Sequence, residues 1–270
     1  MYKSLKIIFG WAVSLIGIIF TFVPEKCFEL WKPFNTLSNE TNIIIVRCLV
    51  FLTIFIICIL VYMFIMKVRF RVNVNGRNHL ITVEYGDILK KKNCTRIFAF
   101  DECFTTQIGS RPQDIKPDSV CGQYITNNPS LNIDDLIKNI NLKPANGTSQ
   151  YKNKVHYESG RVLPYRDDLL LAFAKLDQNG RGTFTRDEYL KSLDILWSEI
   201  NKYYCQKDIC ITILGGGITN FVDWDPTQQE LLDTIIQSYK LSKYKIKTPN
   251  KLRIICRKKD VDINNIGGNI

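Results

Sequence analysis

Ile209-Cys-Ile-Thr-Ile-Leu-Gly-Gly-Gly-Ile-Thr-Asn-Phe221 is the stretch from which the fold of this chain is read. The apolar half has the length and composition of a buried strand. The strand runs into three glycines, and a helix is expected to follow. Glycines at the carboxyl end of a parallel strand leave backbone N–H groups bare. Together with the dipole of a following helix, those groups form a site for phosphate. Ligands of open α/β sheets bind outside the carboxyl ends of the strands. The bland alternative is a glycine-rich turn that only lets the chain bend. Two common nucleotide fingerprints do not fit. After Gly215 and Gly217, the third glycine position of the dinucleotide motif holds Asn220. No Gly-Lys-Ser/Thr follows, so the stretch is not a P-loop.

The neighbouring stretches supply the rest of a sheet. Val68–Val74 alternates apolar and basic residues, as a strand does. Leu80–Val83 reads as a second strand, ended by Gly86-Asp87, and Thr95–Phe100 as a buried third. Leu169–Leu176 is compatible with strand or helix by periodicity alone. Ser110–Tyr151 is rich in Pro, Asn and Gly and predicts loops with short helices, among them Ile133–Ile140. Thr185-x-x-Glu188 is a capping pattern that opens a helix running to Tyr204. Pro226–Tyr239 predicts a helix with Pro in its first turn, and Leu252–Cys256 a last strand. Strands alternating with helices imply a mixed, mainly parallel sheet with helices on both faces.

The first 66 residues differ in character. Leu5–Val23 and Ile43–Met66 are almost unbroken apolar stretches. A bilayer core needs about 20 apolar residues as a helix, so both are long enough to span. No A-x-A pattern follows the first, which argues against a cleaved signal peptide. The expected organisation is a transmembrane hairpin over 1–66 and a soluble domain over 67–270. Lys3 and Lys6 precede the first span; Lys67, Arg69 and Arg71 follow the second. The positive-inside rule therefore puts both termini in the cytoplasm and the connecting loop outside. Phe28, Trp31 and Phe34 would sit at the outer interface. No acidic or basic residue lies at the centre of the hairpin, so it reads as an anchor or assembly element and not a self-sufficient pore. Gly10 and Gly17 either let helices pack closely or are ordinary glycines.

Net charge is +10. The group after the second span suits anionic headgroups. A second group, Lys243, Lys245, Lys247, Lys251, Arg253, Arg257, Lys258 and Lys259, reads as a solvated face. Aromatic residues are not interleaved with these charges, and nucleic acid is not expected as a partner. The nine cysteines show no C-x-x-C spacing, which fits reduced thiols. No metal site is expected. Asp177, Asn179, Gly182 and Glu188 do fall at positions one, three, six and twelve of an EF-hand-like loop, but position five is Arg181, which offers no short oxygen ligand. A polar turn into the helix capped by Thr185 is the expected reading. His79 and His156 lack partners at metal spacing and are expected on surface or loops. A Ser-His-Asp hydrolase would need a nucleophile-elbow motif, which is missing.

Val83-Glu-Tyr-Gly-Asp-Ile88 resembles the Gly-Asp-Ile strand end of macro domains, and Leu214-Gly-Gly-Gly-Ile-Thr-Asn-Phe221 resembles their diphosphate loop. Leu169–Asp177 and Leu196-Trp197 resemble a divergent macro branch, fused to two membrane helices in Thoeris anti-phage effectors. The resemblance covers nearly the whole chain and implies a three-layer macro-type fold. It implies that Asp87 holds adenine and that Ile88 gives a backbone N–H. Gly215, Gly216, Gly217, Ile218 and Thr219 would wrap the diphosphate, with Asn220 and Phe221 next to the distal ribose or the adenine. Thr105, Thr106, Gln107, Ser119 and Gly122 fall in the first, variable ligand loop (Ser119–Gln123 is its second half). Hydrolytic members have Asn-Ala-Ala-Asn after the buried strand; Ala99-Phe100-Asp101-Glu102 stands here. That departure favours a sensor without cofactor or catalytic residue over a hydrolase, although Asp101 or Glu102 would be the base if one acted. The resemblance further implies a TIR-domain, NAD-consuming partner that makes an ADP-ribose-type messenger, such as histidine–ADP-ribose. It places the chain in the bacterial inner membrane, as a homo-oligomer that damages that membrane.

Overall fold

A computed structural model describes residues 2–24, 27, 38–111 and 113–266, in two compact units, Met1–Arg69 and Phe70–Ile270. Phe28, Trp31 and Phe34 lie outside the described residues. The first unit holds two helices, α1 (Tyr2–Phe22) and α2 (Asn39–Val68). Both are long and apolar enough to cross a membrane. Ser38 caps α2 by accepting the Thr41 N–H. The helices meet along Ile8, Ala12 and Ile16 of α1, buried with Cys58 of α2 and flanked by Phe51, Phe55 and Tyr62. Residues four apart share one helix face, so this stripe is the contact. Gly10 and Gly17 have nothing near the place a Cβ would take, so α1 does not meet α2 through them. Leu5, Phe9, Ile18, Leu60 and Phe64 face outward and are exposed.

The second unit is an α/β domain. The strand expected over Val68–Val74 begins later, because Val68 still closes α2. The strands are β1 (Arg71–Asn75), β2 (Leu80–Tyr85), β3 (Cys94–Asp101), β4 (Val162–Tyr165), β5 (Asp168–Leu176), β6 (Gly182–Phe184), β7 (Asp208–Thr212), β8 (Asn220–Phe221) and β9 (Leu252–Cys256). Among the described residues they form one sheet in the order β1-β2-β9-β7-β3-β5-β6-β8, with β4 on β5. The core β2-β9-β7-β3-β5 is parallel; β1 is antiparallel to β2, β4 and β6 are antiparallel to β5, and β8 is parallel to β6. The mixed, mainly parallel sheet is therefore present.

Leu169–Leu176 is strand, and its continuous apolar run has a cause. Leu169, Leu171 and Phe173 face one layer; Leu170 and Ala172 face the other. A strand covered on both faces needs apolar residues at every position. On the first face lie α5 (Arg186–Tyr203) and α6 (Gln228–Leu241); on the second lie α3 (Val120–Asn127) and α4 (Ile133–Ile140). Three layers result. Thr185 and Glu188 form the expected capping box of α5. Trp197 on α5 is buried and donates its indole N–H to Ser238 of α6 at 2.8 Å. Pro226 does not enter the first turn of α6; Thr227 is the cap, with Glu230 completing a second capping box.

Several polar residues read as solvated are instead structural. Lys245 turns its ammonium onto the carbonyls of Tyr239, Lys240 and Ser242 at the end of α6. His79 is buried against the Tyr239 ring, and burial followed by Lys245 and Lys240 lowers its pKa. Arg253 of β9 reaches Glu84 of β2 at 2.6 Å. Glu84 is 1% exposed and also pairs with Lys91 at 2.8 Å and Arg71 at 2.9 Å. Burial alone would raise its pKa, but the Lys91 and Arg253 hydrogen bonds outweigh it and pull the value from 4.5 to about 2. A carboxylate depressed in this way adds stability above its unfolded pKa and loses it as pH falls toward the folded one. Glu84→Gln is therefore expected to lower the unfolding free energy at neutral pH by on the order of 3 kcal/mol. Urea denaturation of the full chain in detergent, followed by tryptophan fluorescence, should also show a shallower stability loss between pH 4.5 and 2 than in the unsubstituted chain.

Candidate functional site

The carboxyl ends of the five parallel strands open into one cleft of about 670 Å³. Gly86, Asp87 and Ile88 come from the end of β2, Ala99–Asp101 from β3, Phe173 and Ala174 from β5, Thr212–Thr219 from β7, and Ile255–Arg257 from β9. The far side is closed by the loop before α3, including Lys116, Asp118 and Ser119. Pockets of a few hundred Å³ and upward suit small organic ligands, and α/β sheets place them here.

Each glycine of the loop after β7 has its own reason. Gly215 has φ +80, and a Cβ on it would lie 2.9 Å from the Phe221 ring. A Cβ on Gly216 would take the place now held by the Gln228 side-chain amide. Gly217 meets nothing within 4 Å. The loop is held from behind. Tyr189, buried on α5, donates its hydroxyl to the Leu214 carbonyl at 3.0 Å. Phe221 packs against Tyr189 and Trp224. A two-residue strand comes between the glycines and the helix: β8 pairs with β6, and α6 starts at Gln228, two residues after the expected Pro226. Its first residue nevertheless returns to the loop, donating from Nε2 to the Gly216 carbonyl.

At the other end, the Gly86 N–H bonds to the Cys256 carbonyl at 3.1 Å. Asp87 caps the single turn Ile88–Lys90 by accepting the Leu89 N–H at 3.0 Å, and its side chain is 43% exposed. The turn is anchored by Arg96, which donates to the Leu89 carbonyl and grips Asp168 through two bonds of 2.7 and 2.8 Å. Tyr124 of α3 donates to the same Asp168.

The two carboxylates after β3 diverge. Asp101 lines the cleft, and its oxygens accept the N–H groups of Cys103 and Thr105 and the Thr105 hydroxyl. Burial raises its pKa against those bonds. Glu102 points elsewhere and is 4% exposed. It accepts from Ser149 at 2.5 Å and from the Leu176 N–H at 3.1 Å, and binds His156 Nδ1 at 3.0 Å. His156 lies on a loop, as expected, but is partly buried and bonded to the buried Glu102.

Not every residue expected at the ligand lines this cleft. Asp87, Ile88, Ser119 and Gly215–Thr219 do. Thr105, Thr106 and Gln107 line a separate pocket with Asn132, Asp134 and Lys154. Gly122 sits beneath the Lys116 carbonyl, where a Cβ would clash. Asn220 and Phe221 belong to β8, with Phe221 supporting Gly215 from below. The Ser119 hydroxyl is already engaged, accepting from Gly122 and donating to Lys116. Arg257 and Asp260 line the cleft as a 2.5 Å ion pair, though Arg257 came from a group read as solvated. Gln228 had no local signal, since its role depends on a loop twelve residues earlier. Asp114 pairs with Arg111. With cations few, an anion in the cleft would rest on backbone amides. The EF-hand-like stretch is a turn: Asp177 accepts the N–H groups of Asn179 and Arg181, while Glu188 serves the cap and Lys175. No cluster of metal-ligating side chains occurs among the described residues.

The glycine geometry separates two substitutions. Gly215→Ala should lower stability by about 1–2 kcal/mol or more, from its left-handed φ and the ring clash. Gly217→Ala should stay within roughly 0.5 kcal/mol. Thermal denaturation of the two variants checks this, and equal losses would contradict it.

Residues 81–257 match the family described as "Thoeris protein ThsA, Macro domain". The chain is 29% identical over 259 residues to "Thoeris protein ThsA" of Bacillus amyloliquefaciens (strain Y2), covering 93% of this chain and 84% of that protein. Among solved structures, an Oceanobacillus iheyensis macrodomain mutant with ADPR aligns with a TM-score of 0.46 at 11% identity, covering 70% of this chain and 92% of that one. An Oceanobacillus iheyensis macrodomain with ADP aligns at 0.41 and 9%, covering 70% and 90%. The match to residues 81–257 spans most of the folded second unit, and on that ground the chain belongs to the macro-domain family of Thoeris protein ThsA, a family of antiviral defence.

Proposed function

We propose that the chain is a membrane-anchored anti-phage effector whose macro domain senses an ADP-ribose-derived messenger. A TIR-domain enzyme that consumes NAD would make the messenger, and an amino-acid conjugate such as histidine–ADP-ribose fits the reading. Binding would drive the hairpins to assemble and disrupt the inner membrane, with both termini and the macro domain cytoplasmic. The observation that carries this reading is the single cleft that joins Asp87 and Ile88 to Gly215–Thr219. One half-exposed carboxylate stands at one end, where it can accept from a purine amino group. A glycine loop stands at the other, where bare amides suit a diphosphate.

A sensing role without turnover is supported by the two acidic residues after β3. Asp101 is occupied by Cys103 and Thr105, and burial favours its uncharged form. Glu102 is consumed by Ser149, Leu176 and His156. A general base must reach the proton it removes with an oxygen to spare. The two apolar helices support the anchor.

Calorimetry of the full chain in detergent, with ADP-ribose and with its histidine conjugate, tests the reading. Asp87→Ala and Gly216→Glu should each weaken binding by about tenfold or more, a loss of roughly 1.4 kcal/mol, with the fold intact. Unchanged affinity in both variants would reject this placement. Release of a product on incubation would favour a membrane-bound ADP-ribosyl hydrolase instead.

A further inference from the structure

The three-glycine loop poses a physical problem. Gly216 and Gly217 carry no side chain to restrict them, and a Cβ on Gly217 would meet nothing within 4 Å. A peptide unit between two glycines turns over easily, because glycine occupies both signs of φ at little cost. A loop meant to offer N–H groups to an anion must not turn its carbonyls there instead. Something outside the loop has to hold it.

Gln228 meets that need. It is the first residue of α6, lines the same cleft, and donates from Nε2 to the Gly216 carbonyl. Its amide also fills the space a Cβ on Gly216 would take. The peptide joining Gly216 to Gly217 is planar and trans, so a carbonyl held on one side fixes the Gly217 N–H on the other. Gln228 itself is held in place, because α6 is buried through Leu231, Leu232, Ile235 and Ile236 and begins with the Thr227–Glu230 capping box. Behind the loop, Tyr189 holds only the Leu214 carbonyl, which leaves the Gly216–Gly217 unit to Gln228.

We infer that Gln228 is a positioning residue: its side-chain amide locks the Gly216–Gly217 peptide in the orientation that receives an anionic ligand. The effect on affinity rests on the nucleotide reading of the cleft; the effect on the loop does not. The inference also says why Gly216 is glycine. An alanine there would push the Gln228 amide aside, so Gly216→Ala and Gln228→Ala should remove the same contact.

The test uses the full chain in detergent, with ADP-ribose as the probe. Gln228→Ala should speed amide hydrogen exchange across residues 214–219 by roughly fivefold, the size expected for one lost hydrogen bond. Affinity for ADP-ribose should fall by a similar factor, with the melting temperature nearly unchanged. Gln228→Glu, which replaces the donor with an acceptor facing a carbonyl, should lose at least as much. The double variant Gly216→Ala/Gln228→Ala should be no weaker than either single one, since the two act on one contact. Multiplying losses in the double variant, or unaltered exchange in Gln228→Ala, would overturn the inference. So would faster exchange with full affinity. If the unsubstituted chain binds no ADP-ribose, the nucleotide reading fails, and the exchange measurement still decides whether Gln228 locks the loop.

Discussion

Burial of both faces of the parallel strands is the constraint from which the rest of the domain follows. Leu169–Leu176 sends alternate side chains into two apolar layers, and β7, β3 and β9 do likewise. Such strands expose no face to water, so polar chemistry is confined to their ends. The amino-terminal end is occupied by ion pairs, with Arg96 on Asp168 and Arg253 near Asp208. The carboxyl end is left as a cleft. The site lies where it does because the sheet has nowhere else to put one.

Around that cleft, supporting contacts outnumber exposed functional groups. Tyr189, Phe221 and Gln228 hold the glycine loop; Arg96 holds the turn behind Asp87; Glu102 ties the end of β3 to β5 and to the Ser149–His156 segment. Most of the charged side chains at the rim are already paired or protonation-shifted. What remains free is mainly backbone, and backbone amides in fixed positions recognise an anion by shape as much as by charge.

Local signals in the sequence were sufficient for most of the elements. The two apolar helices, the capping box at Thr185 and Glu188, the helix Ile133–Ile140 and the strand Leu252–Cys256 were legible because each depends on near neighbours. The failures share one cause. The short strand β8 between the glycine run and α6 has no local signal, because it forms by pairing with β6, a segment far away in the chain. His79 and Arg253 read as solvated because their partners lie on distant elements.

The sequence by itself determined that this chain has two membrane-length apolar helices followed by an α/β domain, and that a glycine loop closes one of its buried strands. Composition and period suffice for that, since they report how each segment meets water or lipid. Only the tertiary structure decided which residues meet. It brought Asp87 and Gly216 to one cleft, sent Thr105–Gln107 to another pocket, turned Glu102 inward and delivered Gln228 to the glycine loop. Those pairings depend on strand order and on the path of long connections, and no local pattern encodes either.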